Sequence, residues 1–351
     1  MPELPYIARF TSFKEVRAAW ERLCALEGRC ESCAPYALPH VRIDPRFQKD
    51  YRVIVLRKNE YANVNFLTDC FTEPARLEAK RFDQEHSAAE YWRRHGAALC
   101  ARNPGATLQE LRALLYGATV EVMNFRLTVA VAIYDTFMPR SVFDPCAGHG
   151  DRLIAAMSRS YIVSYEACEP NSSSFAGMSN AVKMFGASKK IQLHCVPFEN
   201  FVLRKKYDLV FTSPPYFDVE VYTLEKTQSI VRYPSIKVWY RRFLRLMFLR
   251  CWEHVAEDGH MVVSINNVYD RLKKCLRFDC TEKLVSDITT MCARANFLGV
   301  ISYGAPNSRM EPMFIWRKEK SPVPAYSFEE MQQRRAETRL KQVARNSELN
   351  Q

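Results

Sequence analysis

One short stretch near the middle of the chain constrains the fold more than any other feature. The apolar run Ser141–Asp144 enters a turn, Asp144-Pro-Cys-Ala-Gly-His-Gly150, and the helical pattern Arg152–Met157 follows. A strand, a glycine turn and a helix open a doubly wound sheet, in which ligands lie beyond the carboxyl ends of the strands. Gly148 and Gly150 can adopt positive φ and let the backbone approach a ligand. The pattern predicts an α/β fold with a mostly parallel sheet.

The next strand pattern carries an acid where a nucleotide-like ligand would need one. Ile162–Glu166 runs into Ala167-Cys-Glu169-Pro-Asn171. A carboxylate at the tip of a second strand can accept hydrogen bonds from both hydroxyls of a ribose. The glycine spacing differs from the dinucleotide pattern Gly-x-Gly-x-x-Gly. A tight turn followed by a surface glutamate is the alternative interpretation.

A second motif stands about seventy residues downstream, again directly after an apolar run. Tyr207–Phe211 leads into Thr212-Ser-Pro-Pro-Tyr216. The two prolines have no backbone N–H, so this loop offers mostly acceptors. The Ser213 Oγ and the Pro214 carbonyl oxygen can together accept both hydrogens of an –NH₂ group, and Tyr216 offers a ring for stacking. The predicted catalytic residues are Ser213, Pro214, Pro215 and Tyr216. The alternative is a proline-rich turn.

At these residues the chain resembles the S-adenosylmethionine-dependent amino-methyltransferases of nucleic acids, the N6-adenine and N4-cytosine enzymes. Their signature is Asp/Asn/Ser-Pro-Pro-Tyr/Phe/Trp after an Asp-Pro-Phe-Ala-Gly-x-Gly-like turn, from which this chain departs at Cys146. The resemblance covers about residues 120–317. It implies a class I methyltransferase fold, Rossmann-like, with a seven-stranded, mostly parallel sheet.

The resemblance also implies which residues hold S-adenosylmethionine. Asn124 and Phe125 precede a long helix, Asp144 begins the turn that contacts the methionine moiety, Glu169 holds the ribose, and Phe198 or Glu199 lies near the adenine. The full set of expected cofactor-binding residues is Asn124, Phe125, Asp144, Pro145, Ala147, Gly148, Gly150, Glu169, Phe198 and Glu199. The serine form of the motif is commoner among N4-cytosine enzymes, although Ser213 can accept from either amine. Variants of the loop also serve guanine N2 and glutamine side chains, the latter usually with asparagine first.

The segment after the catalytic loop mixes polar, aromatic and basic residues. A flipped or single-stranded base needs stacking partners and contacts to its edge, and phosphates need arginine or lysine. The expected substrate-binding residues are Phe217, Glu220, Tyr222, Gln228 and Arg232. An ordinary connection before the next helix is the alternative for each. Methyl transfer makes little demand on acid–base catalysis, so no histidine base is expected, and His149 is equally well explained as an exposed loop residue.

Composition favours an acidic partner and a reducing compartment. The formal net charge of the 351-residue chain is +11, which suits a polyanion. The twelve cysteines are scattered through apolar segments, as small buried side chains are in a reducing environment. With no apolar run of membrane-spanning length and no signal-peptide pattern, we expect a soluble intracellular protein of the cytoplasm or nucleus. Zinc at Cys24, Cys30, Cys33 and His40 is a weaker alternative to ordinary thiols there.

Three regions are expected along the chain. Residues 1–105 form a mixed N-terminal extension suited to substrate recognition, with a strand at Tyr51–Leu56 and two helices. Residues 106–318 form the catalytic domain, and 319–351 form a polar tail with a capping box at Ser327–Glu330. In the extension, Arg76, Lys80, Arg81, Arg93 and Arg94 are either a phosphate track or a solvated helix face.

Together these features predict a methyltransferase acting on the exocyclic amino group of adenine N6 or cytosine N4, in DNA or RNA, including cap or structured RNA. Two alternatives remain: a protein glutamine methyltransferase, and a non-catalytic subunit of the same fold that presents nucleic acid to another chain. No resident metal is expected.

Overall fold

The computed structural model describes residues 11–26, 32–33, 52–54, 64–81, 83–186, 188–270, 275–303 and 311–321. The strands are β1 Ser32–Cys33, β2 Arg52–Ile54, β3 Lys80–Arg81, β4 Ser141–Asp144, β5 Ser164–Cys168, β6 Lys190–His194, β7 Tyr207–Thr212, β8 Glu220–Val221, β9 Val255–Ser264, β10 Val268–Asp270, β11 Cys275–Phe278, β12 Ala295–Tyr303 and β13 Glu311–Lys318. The α-helices are α1 Phe13–Cys24, α2 Asp69–Glu78, α3 Ala88–Arg102, α4 Leu108–Ala118, α5 Leu127–Phe137, α6 Asp151–Ser158, α7 Ser172–Phe185, α8 Ser229–Arg232, α9 Ile236–Trp239, α10 Leu246–Glu253 and α11 Cys280–Met291.

Seven of the strands form a mostly parallel sheet in the order β12-β13-β9-β7-β4-β5-β6. β13 is antiparallel to both of its neighbours, while β9, β7, β4, β5 and β6 are parallel to one another. This strand order confirms the predicted α/β, doubly wound class I methyltransferase fold. The short strands β2 and β1 extend the sheet beyond β12, so the expected strand at Tyr51–Leu56 belongs to the central sheet.

The chain order of the strands reverses beside β4. From β4 the chain moves outward to β5 and β6, and it then returns to the other side of β4 as β7. Such a reversal opens a crevice at the carboxyl ends of the two strands, because their following loops leave towards opposite faces. The glycine turn follows β4 and the Ser-Pro-Pro-Tyr loop follows β7, so both motifs stand at this crevice.

Both faces of the sheet are buried, as the continuous apolar strands require. Along β7, Val210 packs with Trp239, Phe248 and the other residues of one core, whereas Leu209 and Phe211 pack in a second core with α1, α5, α6 and α7. The alternation follows from the two-residue period of a strand.

A π-helical turn, Tyr240–Arg245, joins α9 to α10. Such turns are uncommon in proteins, and those that occur often lie at functional sites. Tyr240, Phe243 and Leu244 within the turn are buried.

The N-terminal extension packs on the catalytic core through α1 and the 3₁₀ turn Asn65–Leu67. Its expected helices are present as α2 and α3, and the boundary at residue 105 falls between α3 and α4. Of the cations considered there for a phosphate track, Arg76 pairs with Asp69, Glu73 and Glu121, Arg93 with Glu78, and Arg94 with Glu90. Arg93 and Arg94 are exposed, as a solvated helix face requires, whereas Arg76 is buried and fits neither interpretation.

Several predictions fall outside the described residues. Cys30, His40 and the side chain of Cys33 are among them, as is the capping box at Ser327–Glu330. The described residues contain no group of three or more His, Cys, Asp or Glu side chains placed to hold a metal ion. Within the same ranges, every helix is too short or too polar to cross a membrane.

Candidate functional site

The loops after β4 and β7 open into a cavity of about 390 Å³ at the crevice. That volume is within the range of small-molecule and cofactor sites. Fifteen residues expected from the sequence line it: Asn124, Phe125, Pro145, Ala147, Gly148, Glu169, Phe198, Glu199, Ser213, Pro214, Pro215, Tyr216, Glu220, Tyr222 and Gln228. We call the complete set of residues that line the cavity, both expected and unexpected, the cavity wall.

Four expected site residues stand behind the wall. Asp144 is fully buried and forms an ion pair with Arg152, with the carboxylate Oδ2 2.7 Å from Nε, so it shapes the turn from behind. Gly150 caps α6 at φ 93°, and a Cβ there would lie 2.7 Å from Met178 Cγ, so helix packing demands this glycine. The sequence predicted that Asp144 and Gly150 contact the cofactor directly. The structure corrects this prediction, because both residues support the turn instead.

The other two corrections concern the substrate side. Phe217 is 3% exposed and its ring packs 5.6 Å from that of Trp239 in the core. Its φ of 58° is rare for a residue with a side chain, and such strain clusters at functional sites. Arg232 points its Nη1 at the carboxylate of Glu199, 3.3 Å away, and its guanidinium covers the ring of Tyr233. Arg232 thus holds a wall residue and is not one itself.

The glycine turn and Glu169 form the side of the cavity at which the sequence predicts the cofactor. Gly148 has φ 62°, and a Cβ there would meet no atom within 4 Å, so the backbone faces open space. Glu169 Oε2 accepts from the Gly148 N–H at 2.7 Å, and Oε1 accepts from the Asn171 N–H at 2.9 Å. Each oxygen keeps a further lone pair. Burial raises the pKa of Glu169 to about 7, against the opposing effect of these two hydrogen bonds.

Five wall residues carry a buried polar atom with no hydrogen-bond partner among the described residues, and in two of them, Arg81 and Glu199, that atom lies in an ion pair. The other three atoms are Asn124 Oδ1, His149 Nε2 and Gln228 Nε2. Buried polar atoms are normally paired, so a row of unpaired ones along a cavity indicates that a ligand supplies the partners. The wall offers both acceptors and donors. S-adenosylmethionine fits such a wall, because it carries an ammonium group, a carboxylate, a ribose and a base.

His149 is buried, which excludes the exposed-loop alternative. Its Nδ1 lies 3.2 Å from Ser174 Oγ, and its backbone oxygen accepts from Thr72. Burial, together with the nearby Arg76 and Arg152, lowers its pKa to about 3. The ring is therefore neutral at physiological pH and is a weak base.

The Ser-Pro-Pro-Tyr loop forms the opposite side of the cavity. Tyr216 Oη lies 3.4 Å from Ser213 Oγ. Burial and the nearby Glu311 raise the pKa of Tyr216, so its hydroxyl stays protonated. Either hydroxyl can donate the hydrogen bond in this contact, and when Ser213 donates, both lone pairs of its oxygen stay available for an amine. Glu220 accepts from the Tyr222 hydroxyl at 2.7 Å, and burial raises its pKa too.

Several wall residues were missed from the sequence: Arg81, Glu121, Met123, Asp151, Phe243, Asn266, Asn267, Tyr269 and Glu311. Asn266 and Asn267 directly follow β9, a strand parallel to β7, and the rule that sites gather at carboxyl ends would have found them. Glu311 begins β13, which is antiparallel, so its first residue lies at the same edge. Arg81 lines the cavity because β3 pairs with β8, and nothing in the local sequence predicts that pairing.

We expect the cofactor affinity to depend on the ionisation of Glu169. The ionised carboxylate is the better acceptor for ribose hydroxyls, so affinity for S-adenosylmethionine should rise as the pH passes upward through about 7 and level off above it. Glu169→Gln should weaken binding by about 1–3 kcal/mol, the scale for a hydrogen bond to a charged group. Calorimetric titrations from acid to alkaline pH measure both.

The glutamine variant is also the control for that prediction. Any titration of the cofactor's own groups, or of Asp151, whose pKa burial likewise raises to about 7, remains in Glu169→Gln and cancels in the comparison. Equal affinities at alkaline pH, or parallel pH profiles, would place the ribose away from Glu169.

Known proteins provide only distant comparisons. No family model matches the sequence, and no curated protein matches it. Among solved structures, the chain is similar to the N-methyltransferase NodS from Bradyrhizobium japonicum WM9 at 10% identity, over 55% of this chain and 93% of that chain, with a TM-score of 0.36. A methyltransferase from Pyrococcus furiosus shows 12% identity over 64% of this chain and 98% of its own, with a TM-score of 0.39. TrmN from Thermus thermophilus shows 13% identity over 55% of this chain and 49% of its own, with a TM-score of 0.37.

Proposed function

We propose that this chain is an S-adenosylmethionine-dependent methyltransferase that modifies the exocyclic amino group of a nucleic-acid base. The observation that carries the proposal is the meeting of the glycine turn and the Ser213–Tyr216 loop in one cavity. One side offers backbone and carboxylate groups suited to a nucleoside, and the other offers acceptors suited to an amine. Such a pairing brings a donor and an acceptor of a methyl group together.

Residues that line the cavity would hold the cofactor. Gly148 gives close approach, Glu169 receives the ribose hydroxyls, and Asn124 Oδ1 accepts from the ammonium group. Phe198 and Glu199 lie in the 3₁₀ turn after β6, where the resemblance expects the adenine. When bound, S-adenosylmethionine supplies a methyl group activated by a positively charged sulfur.

The loop residues prepare the target amine. An amine attached to an aromatic ring is a poor nucleophile because its lone pair is delocalised. The Ser213 Oγ and the Pro214 carbonyl accept its two hydrogens, which draws the nitrogen towards tetrahedral geometry and frees the lone pair. Tyr216 stacks on the base. The proton leaves after methylation, so positioning and electrostatics provide the rate enhancement and no general base is needed.

Charge favours nucleic acid over protein as the substrate. The net charge of +11 suits a polyanion. Protein amide methylation is the second candidate, and serine at position 213, where that activity usually has asparagine, argues against it. The open cavity and intact loop also argue against a purely non-catalytic subunit. Adenine N6 and cytosine N4 both fit the loop, in DNA or RNA.

Transfer of an isotopically labelled methyl group tests the proposal directly. The chain is incubated with labelled S-adenosylmethionine and, separately, with single-stranded DNA, duplex DNA, RNA, capped RNA and glutamine-containing peptides. We expect label in a nucleic acid and none in the peptides. Label only in peptides would establish the second candidate. Measurable cofactor binding with no label in any polymer would contradict both enzymatic assignments and favour the subunit alternative.

A further inference from the structure

The helix after the catalytic loop concentrates positive charge. Residues 236–252 contain five arginines and lysines and no aspartate or glutamate. Four of the five, Lys237, Arg241, Arg242 and Arg245, lie on the solvent side of α9, the π-turn and the start of α10. We call these four the basic face. The fifth, Arg250, donates to the backbone oxygens of Glu199 and Phe201 and is occupied.

The helical period separates the two sides. Tyr240, Phe243 and Leu244 recur at i, i+3 and i+4 and are buried, whereas Arg241 and Arg242 lie on the other side and are exposed. The cations therefore gather on the solvent side without loss of packing on the core side.

The charges of the basic face are mostly uncompensated. Among the described residues, Lys237, Arg241 and Arg242 form no ion pair, and Arg245 lies 3.9 Å from Asp287, a carboxylate that also accepts from the Tyr240 hydroxyl. The cations of the N-terminal extension differ, since Arg76, Arg93 and Arg94 are all held by carboxylates. Unpaired cations side by side repel one another, and a polyanion would remove that cost.

One end of the basic face lies near the cavity wall. Arg242 interacts electrostatically with Tyr233, and the Tyr233 ring stacks on that of the wall residue Phe243, with centroids 6.4 Å apart. Arg232, next to Tyr233, pairs with the wall residue Glu199. A strand whose target base enters the cavity would thus leave its flanking phosphates near this helix.

We propose that the basic face binds the phosphate backbone of the nucleic acid beside the target base, an inference that rests on the proposed function. Eight residues separate Lys237 from Arg245, which is roughly 12 Å of helix. That length matches about three to four phosphates of one strand at ~3.4 Å of axial rise each. Contacts of this kind position the strand and carry no sequence information.

The test is the salt dependence of binding to a fluorescently labelled oligonucleotide that the wild-type chain methylates. Lys237→Gln, Arg241→Gln and Arg242→Gln are combined in one variant. Losing three phosphate contacts should reduce the slope of log affinity against log salt by roughly two to three, and weaken binding on the order of tenfold or more at low salt. Affinity for S-adenosylmethionine should stay at the wild-type value, which also shows that the variant is folded.

A matched variant controls for net charge. Lys14→Gln, Arg17→Gln and Lys183→Gln removes three exposed cations from α1 and α7, which pack in the other core of the sheet. We expect its salt slope to remain near that of the wild type. Equal slopes in all three proteins, or equal losses in both variants, would overturn the inference while wild-type methylation leaves the proposed function standing. A wild-type chain that neither binds nor labels any nucleic acid would remove the proposed function itself, and this inference with it.

Discussion

Replacement of Tyr216 by alanine should lower kcat/KM for the nucleic-acid substrate by roughly 5- to 150-fold, the equivalent of ~1–3 kcal/mol of lost base–aromatic stacking. Ser213→Ala removes an acceptor aimed at the reacting amine and should lower kcat by about 10²–10³, the scale for one preorganised dipole at a reacting group. Both residues lie on the substrate side of the cavity, so affinity for S-adenosylmethionine should remain nearly that of the wild type. Steady-state kinetics and calorimetry give the two quantities.

Tyr216→Phe is the matched control. It keeps the ring and removes only the hydroxyl that lies 3.4 Å from Ser213 Oγ, so stacking should survive and kcat/KM should exceed that of Tyr216→Ala. A large loss of cofactor affinity in Ser213→Ala or Tyr216→Ala would contradict the assignment of this loop to the substrate.

Removal of the Asp144 carboxylate should destabilise the fold by about 3–5 kcal/mol, because it leaves the Arg152 guanidinium buried without its counter-charge. Both side chains are almost fully buried, and Asp144 also accepts from the Tyr165 hydroxyl at 2.9 Å and from the Cys146 N–H at 3.2 Å. Urea unfolding of Asp144→Ala without cofactor should show a lower midpoint and an unchanged m-value.

The exposed ion pair between Glu257 and Arg294 supplies the comparison. Glu257→Ala should unfold near the wild-type midpoint, since solvent screens surface pairs. Equal stability of Asp144→Ala and Glu257→Ala would contradict the structural role of Asp144 in supporting the glycine turn. It would favour direct contact of Asp144 with the cofactor.

The elements that carry local patterns were predictable. The strand, glycine turn and helix around Gly148 appear where periodicity and turn chemistry indicated. The wall residues near the second motif follow from the same logic, because a loop after a parallel strand must stand at the carboxyl edge.

The remaining residues depend on contacts between distant segments. Arg81 enters the wall through pairing with Glu220, and Glu311 through the direction of an antiparallel strand. Conversely, Asp144 and Phe217 belong to their motifs by position, but an ion pair and a core contact turn them away from the cavity. Spacing along a chain specifies the loop, whereas the direction of each side chain within it is decided by packing.

Nucleoside mass spectrometry tests the central claim most directly. The wild type and Tyr216→Ala are incubated with methyl-labelled S-adenosylmethionine and the nucleic-acid panel, and the products are digested to nucleosides. We predict labelled N6-methyladenosine or N4-methylcytidine, or the deoxynucleosides, in the wild-type reaction, with much less in Tyr216→Ala. Label on a ring nitrogen, a ring carbon or a ribose, or label of equal amount in both proteins, would contradict an amine held by the Ser213–Tyr216 loop.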